Sequence, residues 1–136
     1  MSVISVPISY GELIDKITIL EIKSAQMSDP SKLANVRAEL DLLNKTWASD
    51  DASRTNIADA RARLKSVNED LWEIEDRIRL KEKARAFDIE FIELARSVYF
   101  RNDERAKIKR EINLALGSKL VEEKSYQEYK TPSKDV

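Results

Sequence analysis

The sequence predicts an all-α fold, an antiparallel bundle of about four helices whose third and fourth members form a long coiled-coil-like hairpin. Three observations predict it. The 136-residue chain has only two glycines and three prolines, with 36% of its residues charged, a composition suited to long amphipathic helices joined by few loops. Between Ile57 and Ile78, apolar residues recur at alternating spacings of three and four, the period of a helix seam and not of a strand. Acceptor side chains at Ser9, Asp29 and Asp88 precede apolar-periodic runs, and Gly117 follows the last of them, where helix caps belong.

Residues 3–8 (VISVPI) are apolar and interrupted by Pro7, and are expected as an extended arm packed on the bundle. Ser9 caps a first helix, Tyr10–Gln26, with Glu12 completing a capping box and Ile8 and Leu13 spaced as a hydrophobic staple. Tyr10, Leu13, Ile14, Ile17 and Leu20 share a face that also contains Glu21, while Ile19 and Ile22 lie opposite. This helix is therefore expected to have neighbours on both flanks.

Asp29 and Pro30 open a second helix. It carries Leu33, Val36, Leu40, Leu43 and Trp47 in one stripe and stops near Ala48, where the polar run 49–53 begins. The third helix is expected over residues 55–83, with Ile57, Ala60, Leu64, Val67, Leu71, Ile74 and Ile78 as its seam. At about 1.5 Å per residue it would be roughly 45 Å long and would need a partner of similar length.

Residues 91–117 supply that partner after a short connection. Asp88 is the cap, Phe87 and Ile92 are spaced as a staple, and Gly117 is placed for a left-handed stop. Beyond it, Leu120, Val121, Tyr126 and Tyr129 are expected to dock on the bundle. One domain is expected to span residues 1–130, and 131–136 to form a disordered tail.

The counts of zero histidines and zero cysteines exclude many active sites. There is no imidazole for a Ser-His or Cys-His pair, an HExxH zinc site or the ligands of a di-iron bundle. Gly11 and Gly117 alone cannot build a glycine-rich phosphate loop. No cofactor and no metal is expected, and binding is favoured over catalysis. The formal net charge of −1 argues against a nucleic-acid partner. No apolar run is long enough for a membrane span, and the opening MSVISVPISYGE lacks a basic leader, so a cytoplasmic location is expected.

The polar middle of helix four is the primary candidate site. Arg101 and Arg105 share a stripe with Leu94, Val98, Ile108 and Ile112, and Asn102 lies beside it. Two guanidiniums one turn apart need carboxylates or a bound anion. Glu21, on the apolar face of helix one, is the expected internal partner. The belt Glu21, Arg101, Asn102 and Arg105 is thus either a closed polar network or a site for a small anionic ligand. A second candidate is Trp72, Glu75 and Arg79, which share a face beside the seam of helix three and place an aromatic ring next to opposite charges, as a sugar or ring pocket does. Leftover apolar surface makes a homodimer or a partner protein a further expectation.

Four runs carry a resemblance to known sequences: 11–23 (GELIDKITILEIK), 91–99 (FIELARSVY), 101–113 (RNDERAKIKREIN) and 121–126 (VEEKSY). They resemble the signature of an uncharacterised bacterial helical protein family over nearly the whole chain. Residues 71–76 (LWEIED) and 101–103 are also similar to a second uncharacterised bacterial helical family. Occurrence of such families among glycosyltransferase and cell-surface polysaccharide genes implies a non-catalytic binding or scaffold role accessory to those pathways. Ile14, Asp15, Lys16 and Ile17 resemble the start of the all-helical chorismate mutases, in which arginines and a glutamate inside a bundle hold a dicarboxylate; this implies, as the alternative, a small-anion or dicarboxylate-binding enzyme or sensor. The arginine which that family places just before its Ile-Asp pair is missing, since Gly11 and Glu12 occupy the region.

Overall fold

The structure, a computed structural model, describes residues 2–130; the tail expected at 131–136 lies outside them. The fold is all-α. Its elements are α1 (Tyr10–Gln26), α2 (Pro30–Ser49), a single 3-10 turn (Asp51–Arg54), α3 (Ala58–Lys83) and α4 (Ile89–Ala115). Local capping chemistry sets most of these boundaries. Ser9 Oγ accepts from the Glu12 amide at 3.2 Å, Asp29 from the amides of Ser31 and Lys32, and Asp88 from that of Phe91 at 2.9 Å. Gly117 adopts φ +63°, which lets Ser118 N–H reach the Asn113 carbonyl at 2.8 Å and its own N–H reach that of Leu114, a Schellman stop.

Three local expectations need correction. Asp50 accepts from the Ala52 amide and starts the 3-10 turn, so α3 begins three residues later than expected. Its 26 residues span roughly 39 Å at about 1.5 Å per residue. The Glu12 side chain does not complete a capping box, because Lys109 of α4 takes it at 2.7 Å. Phe87 packs edge-on against Phe91 at 5.2 Å, and both Phe87 and Ile92 remain exposed.

Helices α3 and α4 form an antiparallel hairpin. Arg63 meets Glu111, Asp70 meets Arg101, and Arg77 meets Glu90, in reverse chain order. Helix α1 lies across this hairpin. It starts against α4, where the Gly11 amide donates to Asn113 Oδ1 at 2.7 Å, and ends against α3, where Glu21 meets Arg61 at 3.2 Å. Covered by α2, α3 and α4, α1 is buried on almost every side, its polar Asp15 and Thr18 included. The core joins Leu13, Ile14 and Ile17 to Leu64, Val67 and Leu71 of α3 and to Ile108 and Ile112 of α4.

Helix α2 packs closely on α1 and leads into the 3-10 turn, and its backbone comes close to neither hairpin helix. Its stripe of Leu33, Val36, Leu40, Leu43 and Trp47 is consequently only half-buried. Trp47 meets the edge of Tyr10, whose hydroxyl donates to Asp50 at 2.8 Å. The distal hairpin extends past α1, so the seam loses its cover: Ile74 and Ile78 are half-buried, and Leu80 and Ile89 are exposed.

The N-terminal arm does not pack on the bundle as expected. Val3, Ile4 and Val6 are exposed, Ile4 by 86%, because the faces of α1 beside which the arm emerges are already taken. Residues 118–130 turn back along α4. Glu122 and Glu123 pair with Lys109 and Arg110 at 3.0 Å each, and the Tyr129 hydroxyl donates to Asp103. The Tyr129 ring docks against Tyr99 and Phe100 at 4.8 and 5.0 Å. Val121 is half-buried, whereas Leu120 and Tyr126 stay exposed.

Candidate functional site

Arg105, Lys109 and Asn113 recur every four residues on α4 and so form one stripe, which meets Asp15, Glu12 and Gly11 in turn along α1. The two backbones approach closely at Gly11. A Cβ there would overlap the Lys109 carbonyl oxygen and stand 3.0 Å from Asn113 Oδ1. Glycine is required at this position for packing, not for its φ.

Asp15 sits at the centre of the contact and is 1% exposed. Its Oδ1 accepts from Arg105 Nε and from Asn68 Nδ2, both at 2.9 Å, and its Oδ2 accepts from Arg105 Nη2. Asn68 Nδ2 also donates to Thr18 Oγ1 at 3.0 Å, and that hydroxyl donates to the Asp15 carbonyl at 2.9 Å. Every buried side-chain nitrogen and oxygen among the described residues has a partner, as a buried ion pair requires.

The charges respond accordingly. The hydrogen bonds that Arg105 donates to Asp15 raise the Arg105 pKa further against the opposing effect of burial. At Lys109, burial works against the ammonium, but contacts to Glu12 at 2.7 Å and Glu122 at 3.0 Å outweigh it and raise its pKa. Lys109 Nζ also stands 4.0 Å from Asp15 Oδ2, which ties the returning tail to the same network.

Beside Arg105 opens a cleft of about 470 Å³ between α1, α3 and α4. Ile19, Ile22, Leu71 and Trp72 form its apolar side; Glu75, Asp76, Arg79, Asn68, Asn102 and Arg105 supply its polar side. Trp72 is 36% exposed. Arg79 is held by Glu75 through its carboxylate and its carbonyl, while Asn102 Oδ1 lies 3.5 Å from Arg105 Nη1.

The structure separates the expected belt and merges part of it with the second cluster. Glu21 reaches neither Arg101 nor Arg105; it pairs with Arg61 and Lys65 of α3. Arg101 turns to the other flank of the hairpin and pairs with Asp70 at 3.5 Å and Glu104 at 3.1 Å. Asn102 and Arg105 instead share one cleft with Trp72, Glu75 and Arg79. Asp15 and Asn68 were not among the expected site residues. The available signal was the pair Ile19 and Ile22 opposite the main face of α1: a helix apolar on both flanks buries what lies between them, Asp15 included.

Chemically, the cleft offers one aromatic face and a ring of donors and acceptors. Among the described residues, no group of three or more acidic side chains is arranged to hold a metal ion. No helix among them is long and apolar enough to cross a membrane. No curated protein and no solved structure matches the chain. A match does come from a family of unknown function, over residues 4–135, a span that contains the α1 and α4 motifs on which the Asp15–Arg105 contact is built. The chain belongs to this family, DUF6165.

Proposed function

We propose that the protein is a non-catalytic binding protein, an accessory to cell-surface polysaccharide or glycosyl-transfer pathways, and that it takes a saccharide ring in the cleft between α1, α3 and α4. The observation that carries this reading is the meeting of Trp72 with Glu75, Arg79, Asn102 and Arg105 around one space of about 470 Å³. That size falls within the roughly 300–1,000 Å³ typical of small-molecule sites. A sugar ring has an apolar C–H face, which an indole covers, and an edge of hydroxyls, which carboxylates, amides and guanidiniums hydrogen-bond. The zero counts of histidine and cysteine and the engagement of Glu75 by Arg79 support binding without catalysis.

The second reading is an enzyme or sensor for a small anion or dicarboxylate. Its support is that Arg79 and Arg105 line the same cleft, and paired guanidiniums suit carboxylates. It ranks second because each already rests on a protein carboxylate. A thermal-shift screen of neutral saccharides against dicarboxylates separates the two. Stabilisation by a neutral saccharide that disappears in Trp72→Ala supports the first reading; stabilisation by dicarboxylates alone, lost in Arg105→Met, replaces it with the second.

A further inference from the structure

We infer that the cleft selects an acidic saccharide, a sugar ring stacked on Trp72 that carries a carboxylate or phosphate group into the outer fork of Arg105. The inference rests on the reading of this cleft as a saccharide site, and it names the chemical class of the sugar and the residue that selects it.

A guanidinium carries five N–H donors, and Arg105 spends two of them, on Nε and Nη2, in a side-on pair with Asp15. The end-on fork keeps one N–H each from Nη1 and Nη2, a parallel pair that grips a carboxylate or phosphate through two oxygens. Asp15 is 1% exposed and forms no part of the cleft wall, whereas Arg105 and Asn102 do. The side-on edge therefore faces the interior, and the remaining donors face the cleft. Asn102 Oδ1 stands 3.5 Å from Nη1, too long a contact to hold the fork closed. Rotation of that amide turns its NH2 group towards the same anion.

Asp15 also prepares the fork. A guanidinium fixed by a buried carboxylate has little rotamer freedom left to lose on binding. The same pair offsets the charge of Arg105 and tempers its pull on a free anion. An acid group on a ring already stacked on Trp72 arrives at high effective concentration and depends less on that pull.

The polarity of the cleft runs the right way along α3. Asn68, bonded to Asp15 at 2.9 Å, marks the level of Arg105. Trp72 stands one turn further on and Asp76 two turns, about 12 Å along the helix from that level. This exceeds the roughly 8 Å screening length at physiological salt, so Asp76 opposes an acid group at Arg105 only weakly, and Glu75 is closed on Arg79. A ring on Trp72 thus has its acid group at the donor end, with Arg105 and Asn102, and its hydroxyls at the acceptor end, with Glu75 and Asp76.

The test titrates glucuronate against glucuronamide, its neutral amide of the same shape, at about pH 7, where the acid is ionised. Glucose 6-phosphate against glucose is the phosphate arm, and the Trp72 indole N–H and the Asn102 side-chain amide are followed by NMR. In the parent protein at least one acid binds roughly tenfold tighter or more than its neutral partner, as expected when a charge-assisted contact is added. The larger gain tells carboxylate from phosphate. Arg105→Lys keeps a cation for Asp15 but has no fork, and the gain falls to within about threefold.

Gains within about threefold for both acids in the parent, or a gain undiminished in a folded Arg105→Lys, overturn the inference; neutral sugars that still move Trp72 then keep the saccharide reading. If Arg105→Lys does not fold, the parent ratios decide, together with the Asn102 amide, which must move further with the acid than with its neutral partner. Free acetate that binds as tightly as glucuronate shows that the ring adds nothing, and overturns the saccharide reading and the inference together.

Discussion

Asp15 and Arg105, 90 positions apart in the chain, meet through two hydrogen bonds, one of them from Nε to Oδ1 at 2.9 Å. This pair joins α1 to α4 and fixes the guanidinium at the edge of the cleft. Arg105→Met leaves the buried carboxylate with Asn68 as its remaining hydrogen-bond donor. We expect a loss of about 2–4 kcal/mol in urea denaturation, below the roughly 3–5 kcal/mol of a fully buried pair because 29% of the Arg105 side chain is solvent-exposed. The double variant Asp15→Asn/Arg105→Met is expected to recover part of that loss, since no uncompensated charge remains.

Gly11→Ala tests the close approach of α1 and α4. Ala is the better helix former by up to about 1 kcal/mol, so propensity alone predicts a gain. The overlap with the Lys109 carbonyl predicts a net loss of about 1–3 kcal/mol, the usual effect of overpacking. Thermal or urea melts read the sign directly.

The helices were legible because their ends carry chemistry that acts locally. Ser9, Asp29, Asp88 and Gly117 act on amides and carbonyls within a few residues, and the α3 seam needs nothing but its own period. The Arg105 position was legible as a polar residue on an apolar stripe. Its partner was not, because Glu21 lies inside the main apolar face of α1 while Asp15 lies on the opposite side beside Ile19 and Ile22, and the sequence does not say which of the two sides meets Arg105. Helix α1 crosses the hairpin beneath α2, so burial extends around it and the polar position that meets Arg105 is Asp15. Arg101 shows the same limit in reverse: one turn from Arg105 along the same stripe, it faces Asp70 on the opposite flank, and only the relative placement of α1, α3 and α4 decides that.

Tyr129 gives a pH prediction for the returning tail. Its hydrogen bond to Asp103 pushes its pKa up to about 12, above the ordinary value of about 10. A group whose folded pKa is raised contributes its stabilisation in full below the unfolded value and loses it as pH rises through the folded one. The docking of Tyr129 against Tyr99 and Phe100 is therefore expected to hold to about pH 10 and to release as pH rises towards 12. A tyrosinate absorbance titration checks it, with Asp103→Asn returning this tyrosine to the ordinary range.

The distal hairpin is expected to tolerate polar change that the crossing region does not. Ile89 is 75% exposed, and Ile89→Lys should alter stability by no more than about 0.5 kcal/mol. Ile112, fully buried in the core, should cost about 2–5 kcal/mol when truncated to alanine. Similar losses at the two positions, measured in urea, would mean that the tip is covered in solution.

The most direct test of the central claim is an NMR titration of the Trp72 indole N–H with neutral mono- and disaccharides, in a Trp47→Phe background that leaves one indole. Binding in the cleft predicts a saturable shift of that signal, accompanied by the Arg105 Nε–Hε signal and absent in Arg105→Met. A Trp72 signal that no neutral saccharide moves, while a dicarboxylate saturates it, would contradict the account.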